Sequence, residues 1–138
     1  MSEIISIGTD IHKMSRFLNI LKRNGPLTVF KTKRFSERVL NAKHELPKFN
    51  KFLSMNETEE CARILSVSWS VKEAVYKTLD DEDQREFIMK DWYKINDLRG
   101  RPLICNPIYE SLKKNETFLC TISHDGDLVS SFVLRKRL

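Results

Sequence analysis

The chain has no apolar run approaching the roughly 20 residues that cross a bilayer, and its opening Met1-Ser2-Glu3-Ile4-Ile5 lacks a basic stretch followed by a hydrophobic one. The expectation is a protein with neither a membrane span nor a signal peptide. Cysteine is sparse. Cys61, Cys105 and Cys120 are odd in number and never stand as C-x-x-C, which removes support for a disulfide framework or a structural zinc site and makes a reduced intracellular compartment the default. Long Gly, Ser or Pro tracts, internal repeats and linkers are also missing. With 138 residues, 41% hydrophobic and 31% charged, the composition excludes a disordered or collagen-like polymer and fits one domain over residues 1–138.

What is present is an uneven positive charge. Between Lys13 and Lys51 eleven Lys and Arg face only Glu37 and Glu45, a local excess of +9 within a total of +5, so the remainder is slightly acidic. Such a block attracts polyanions: nucleic acid, an acidic protein or a phosphorylated cofactor. Phe17, Phe30, Phe35, Phe49 and Phe52 interleave with it, which raises a nucleic-acid-binding module as the alternative reading. Aromatics at helical spacing are more often core than stacking platforms, and no recognised nucleic-acid motif accompanies them.

The β-branched run Ile4-Ile5-Ser6-Ile7-Gly8-Thr9 reads as an opening strand that delivers Asp10 to its edge. Met14, Phe17, Leu18 and Leu21 then follow helical spacing until Gly25-Pro26 ends the pattern. Ser36 is placed to cap a short helix through Val39 and Leu40, and Lys43 to Met55, with Pro47 and Asn50, reads as irregular. Asn56 followed by Glu59 predicts the cap of a long helix over about Glu57 to Leu79, broken by an exposed acidic loop at Asp80-Asp81-Glu82-Asp83. Two strands flank Arg99-Gly100-Arg101-Pro102, Pro107 starts a short helix, and Thr117–Ser123 with Leu128–Leu134 make a hairpin around His124-Asp125-Gly126-Asp127. This order predicts an α+β domain, a mostly antiparallel sheet packed on one long helix and shorter helices.

Glu73 and Lys77, four residues apart on the long helix, share one face; alone they spell an exposed ion pair. Asp10 alone fits a helix cap, and His124 alone fits a turn. Their contexts change that reading. Ile7-Gly8-Thr9-Asp10-Ile11, Arg16-Phe17, Arg34-Phe35-Ser36-Glu37-Arg38-Val39-Leu40, Trp69-Ser70-Val71-Lys72-Glu73-Ala74-Val75-Tyr76-Lys77 and Ile122-Ser123-His124-Asp125 occur in this order. Together they resemble the holo-acyl-carrier-protein synthase type of 4'-phosphopantetheinyl transferase from about Ile4 to Leu134. The aromatic-serine version ahead of Lys72, Trp69-Ser70, looks most like fungal members, and that look carries an expectation of a mitochondrial enzyme, with the cytoplasm as alternative.

The resemblance implies transfer of phosphopantetheine from coenzyme A to a serine of an acyl carrier protein, releasing adenosine 3',5'-bisphosphate. It places Mg²⁺ on Asp10 and Glu73, the oxygen ligands a hard cation needs while a pyrophosphate is cleaved. Lys77 and His124 match the family's phosphate-holding lysine and histidine, with Lys72 and Ser123 as further cofactor contacts. Arg16, with Lys22 and Arg23, is expected to dock the acidic carrier protein, while Arg34 and Arg38 fit docking, cofactor contact or structure. Many bacterial members carry an arginine where Ser68 stands here, so the cofactor's terminal phosphate is expected to be held from elsewhere. A chain of this size buries roughly two thirds of its unfolded surface, leaving little room for a deep cleft. Single-domain members of the family are homotrimers with sites between neighbours, and the same is expected here, with the strands Phe118–Ile122 and Leu128–Leu134 against symmetry mates.

Overall fold

A computed structural model describes residues 2–27 and 29–138. The elements run β1 (Glu3–Lys13), α1 (Ser15–Asn24), α2 (Phe30–Val39), α3 (Leu46–Ser54), α4 (Thr58–Thr78), α5 (Asp81–Arg85), a 3-10 turn at Met89–Asp91, β2 (Tyr93–Asn96), β3 (Pro102–Cys105), α6 (Pro107–Leu112), β4 (Glu116–Asp125) and β5 (Leu128–Arg137). They form the expected α+β arrangement. An antiparallel sheet of order β1-β5-β4 lies against α4, and β2-β3 make a separate ribbon.

The long helix α4 is the spine because its two halves bury different things. Cys61, Ala62 and Leu65 pack with Phe17 and Leu21 of α1, with Val39 and Leu40 at the end of α2, and with Phe49 of α3. Val71, Ala74 and Val75 pack on Val133 of β5 together with Trp92, Ile104 and Tyr109. Each large apolar side chain buried this way contributes about 1.5–3 kcal/mol. Of the five phenylalanines in the basic block, Phe17 and Phe49 are core, Phe35 and Phe52 pack against it, and Phe30 is exposed. Helical spacing therefore reported packing at four of the five.

Strand alternation divides the sheet. Gly8, Asp10 and His12 of β1 pair with Val133, Ser131 and Val129, and these with Cys120, Ile122 and His124; this face meets α4. The other face carries Ile7, Ile11, Leu119 and Phe132, 59%, 64%, 53% and 41% exposed. A bulge at Ile5 shifts the register between Ile4 and Ser6, which keeps the following alternation aimed at the helix.

Several element expectations change. The stretch from Lys43 to Met55 is not irregular, since Pro47 stands in the first turn of α3, where a missing N–H costs nothing. Helix α2 begins at Phe30, so Ser36 lies inside it and donates its hydroxyl to the Lys33 carbonyl at 2.8 Å. Asn56 does not cap α4; it adopts a φ of 56° while Glu57 takes the cap position without a side-chain bond. The acidic run after α4 is helical as α5 rather than a loop, and Asp80 pairs with the buried Arg135 at 3.0 Å. Strand β4 continues through His124 to Asp125, leaving Gly126-Asp127 as a two-residue turn with Gly126 at a φ of 56°.

Candidate active site

The site begins with a side chain that is missing. A Cβ on Gly8 would fall 2.2 Å from the Ala74 carbonyl oxygen and 3.1 Å from Lys77 Cβ, so only glycine lets β1 cross α4 at this depth. Two residues on, Asp10 points from the same face of β1. Lys77, one turn after Glu73 on α4, donates to the Thr9 carbonyl at 2.7 Å and places Nζ 3.7 Å from Asp10 Oδ1. The crossing thus gathers Asp10, Glu73 and Lys77.

Hydrogen bonds fix the Asp10 carboxylate. His12 Nδ1 lies 3.1 Å from Asp10 Oδ2. Ser131 donates to Ser70 Oγ at 2.8 Å, and the Ser70 hydroxyl helps to lower the Asp10 carboxyl. Burial pushes the Asp10 carboxyl up, but the contacts with His12, Ser70 and Lys77 outweigh it and hold the group below its ordinary value. Glu73 moves the other way. Burial raises it, and the neighbouring Asp10 charge raises it further against the opposing pull of Lys77 and Arg16. Two carboxylates that repel each other in a half-buried place could hold a hard divalent cation, which takes one or two carboxylates and completes its shell with waters and phosphate oxygens. Among the described residues no cluster of three His, Cys, Asp or Glu side chains offers an all-protein metal cage. The donor set fits Mg²⁺ of that partly hydrated kind.

The other expected residues fall in different places. Arg16 lies with its guanidinium 5.9 Å from the ring centres of both Phe17 and Trp69, and its charge reaches Glu73. Lys22 and Arg23 are exposed on the last turn of α1, where cations also suit the helix dipole. Arg23 joins Lys31, Arg34 and Arg38 along a groove between α1 and α2. His124 is exposed on β4, in the same cross-strand row as Val129 and His12, two strands away from Asp10's strand. Alternation sends the neighbouring Ser123 to the opposite, outer face, level with Ser130 and Ile11. The turn after His124 is pinned to α1: the Met14 N–H donates to the Asp127 carbonyl at 2.7 Å and the Ser15 N–H to Asp127 Oδ1 at 2.9 Å.

Lys72 departs from its expected cofactor role. It is 1% exposed and donates to Glu45 Oε1 at 2.6 Å and to the Val39 carbonyl at 2.5 Å. One residue along a helix is a turn of about 100°, so the Lys72 side chain leaves the Glu73 face and enters the α2–α3 junction. Two participants carried no sequence assignment: Ser70, inside the long-helix motif, and His12, whose i+2 spacing from Asp10 on a strand was its only signal.

A cavity of about 290 Å³ opens on the far side of Lys72, lined by His44, Lys48, Arg63, Ser68 and Lys94 among others. Its one carboxylate is already committed. Glu45 Oε1 accepts from Lys72 and the Asn41 N–H, and Oε2 from Ser68 Oγ at 3.0 Å and the Lys94 N–H at 3.3 Å. Burial and then the Lys48 charge push the Lys94 ammonium down, against the opposing pull of Glu45.

A family model described as the 4'-phosphopantetheinyl transferase superfamily matches residues 6–132. The holo-[acyl-carrier-protein] synthase of Mycoplasma mobile is 30% identical over 141 residues, spanning 99% of this chain and 94% of that protein. The acyl carrier protein synthase of Plasmodium yoelii with ADP bound shares the fold with a TM-score of 0.77 at 24% identity, over 100% of this chain and 98% of that one. A holo-(acyl-carrier-protein) synthase of Bacillus anthracis in complex with coenzyme A (3',5'-ADP) gives 0.73 at 20% identity, over 98% of both chains.

Proposed function

The chain belongs to the 4'-phosphopantetheinyl transferase superfamily, as an enzyme of the holo-acyl-carrier-protein synthase type, and from that premise we propose that it transfers the 4'-phosphopantetheine of coenzyme A to a serine hydroxyl of an acyl carrier protein. The serine oxygen bonds to the phosphorus that carries pantetheine, and the bridging P–O bond of the pyrophosphate breaks. The electron pair leaves with adenosine 3',5'-bisphosphate, and the hydroxyl proton is released. The observation that carries this reading is the Asp10–Glu73–Lys77 group at the β1–α4 crossing, two mutually repelling carboxylates beside a fixed ammonium.

Asp10 and Glu73 would hold Mg²⁺, which when bound supplies positive charge to the pyrophosphate being cleaved. Lys77, tethered to the Thr9 carbonyl, orients a phosphate oxygen beside them. The cations Lys48, Arg63 and Lys94 around the 290 Å³ cavity, where Ser68 has turned inward to Glu45, support binding of the donor's remaining phosphate in place of the absent arginine. Arg16, Lys22 and Arg23 give α1 a basic face for an acidic carrier protein.

The apolar outer face and the unpaired edges of β1 and β4 support a homotrimer in which neighbouring subunits complete each site. In that assembly His124 would face the donor across a subunit boundary, and Ser123 would lie on the outer face toward the neighbouring subunit. Light scattering tests it: a fully active monomer would refute the trimer.

The reaction itself is tested by incubating the protein with coenzyme A, Mg²⁺ and apo carrier proteins and weighing the carrier. A gain of one phosphopantetheine on one serine is expected. No mass change in any apo carrier would overturn the reading.

A further inference from the structure

His12 occupies a position where an apolar residue would be more comfortable. Its ring packs 5.2 Å from Phe17 and stands in register with Val129, which is fully buried. The side chain is 7% exposed, yet Nε2 is buried with no hydrogen-bond partner among the described residues. Buried polar atoms are nearly always satisfied, and each exception calls for an explanation. Packing supplies none here, since a valine beside Val129 would fill the strand without orphaning a polar atom.

The other ring nitrogen gives the explanation. An ionised carboxylate can only accept, so His12 Nδ1 carries the proton and donates it to Asp10 Oδ2 at 3.1 Å. That bond takes up one of the two Asp10 oxygens and leaves Oδ1, the one beside Lys77 Nζ, free of the ring. His12 is not a third ligand, because no three ligating side chains converge among the described residues.

We propose that His12 is a positioning residue for the cation site: its Nδ1–H locks the Asp10 carboxylate in one orientation, so that Oδ1 is presented to the metal. It sits outside the ligand shell, the place from which hydrogen-bonded partners orient metal ligands in other sites. The proposal rests on the metal site proposed above.

The test measures Mn²⁺ affinity of the full chain, by electron paramagnetic resonance or calorimetry, alongside its melting temperature. His12→Val removes the donor and keeps an apolar strand residue; His12→Leu repeats the comparison with a different shape. His12→Asn returns an N–H close to where Nδ1 stands. Both apolar variants should raise the Mn²⁺ dissociation constant by about 10–100-fold without lowering the melting temperature, and His12→Asn should restore most of the affinity. Wild-type affinity in both apolar variants would overturn the proposal. So would an Asn variant as weak as they are, or a lower melting temperature with affinity intact, which assigns the ring to packing. Asp10→Asn separates the two claims. If it binds Mn²⁺ as tightly as wild type, the metal site is wrong and the proposal falls with it; if it alone loses the ion, only the role of His12 is lost.

Discussion

Lys72 Nζ and Glu45 Oε1 meet at 2.6 Å in the interior, with side chains 1% and 7% exposed. The lysine precedes the proposed metal ligand Glu73 in the chain, yet its work is on the opposite side of the helix. Removing one partner of such a pair strands the other charge, at a cost of about 3–5 kcal/mol. Glu45→Ala should lose that much stability in urea. Lys72→Met, assayed where it stays folded, should keep its KM for coenzyme A within about twofold, as expected of a residue that does not touch the donor. A KM that rises tenfold while stability holds would return Lys72 to the cofactor.

Acid should cost stability through Glu116. Burial pushes this carboxyl up, but hydrogen bonds from Arg135 and Tyr109 outweigh it and hold it at about 2, against an ordinary 4.5. A carboxylate depressed by folding adds stability that is fully present above pH 4.5 and disappears as pH falls toward 2. The full contribution is on the order of 3 kcal/mol at 1.36 kcal/mol per unit. The stability gap between wild type and Glu116→Gln should therefore narrow as urea melts are taken from neutral pH down through this window. A gap that stays constant would show that the network does not act through the ionised carboxylate.

Asp10→Asn and Glu73→Gln should each lose most turnover, at least about 100-fold, because each deletes a ligand charge rather than a core contact. Circular dichroism should show the fold retained. Chelation should silence the wild type, and added Mg²⁺ should restore it. Near-normal turnover in either variant at ordinary Mg²⁺ would rule out the assignment.

The α1 face makes a prediction selective between partners. Reversing Lys22 and Arg23 to Glu should raise the KM for the carrier protein and flatten its salt dependence while leaving coenzyme A binding unchanged. Unchanged carrier affinity at low salt would make this face an ordinary solvated one.

The parts of the site that were legible in the sequence are those where neighbours in the chain are also neighbours in space. Glycine two residues before Asp10 on a strand, and Glu73 one turn before Lys77 on a helix, each describe local geometry that survives folding. Lys72 was misplaced for the complementary reason: its partner Glu45 lies 27 residues upstream, and no periodicity announces that pairing. The α3 helix was hidden by Pro47, which reads as a breaker until its first-turn position is known. His12 was missed because β1 was expected to stop at Thr9. Once the strand runs to Lys13 in register with β5, alternation alone places the ring beside Asp10. The cationic cavity combines residues from α3, α4 and β2, which only tertiary structure joins.

Gly8 has a consequence for how the site would look to genetics. It contributes no atom to the chemistry, yet any side chain there would collide with the Ala74 carbonyl and force β1 off α4, carrying Asp10 away from Glu73 and Lys77. A library of random substitutions scored for survival would return Gly8 among the intolerant positions, indistinguishable by phenotype from the carboxylates. Melting temperature would tell them apart, since the clash is with a backbone carbonyl that repacking cannot move and should cost the Gly8 variants stability, whereas variants that lose only a carboxylate keep the fold.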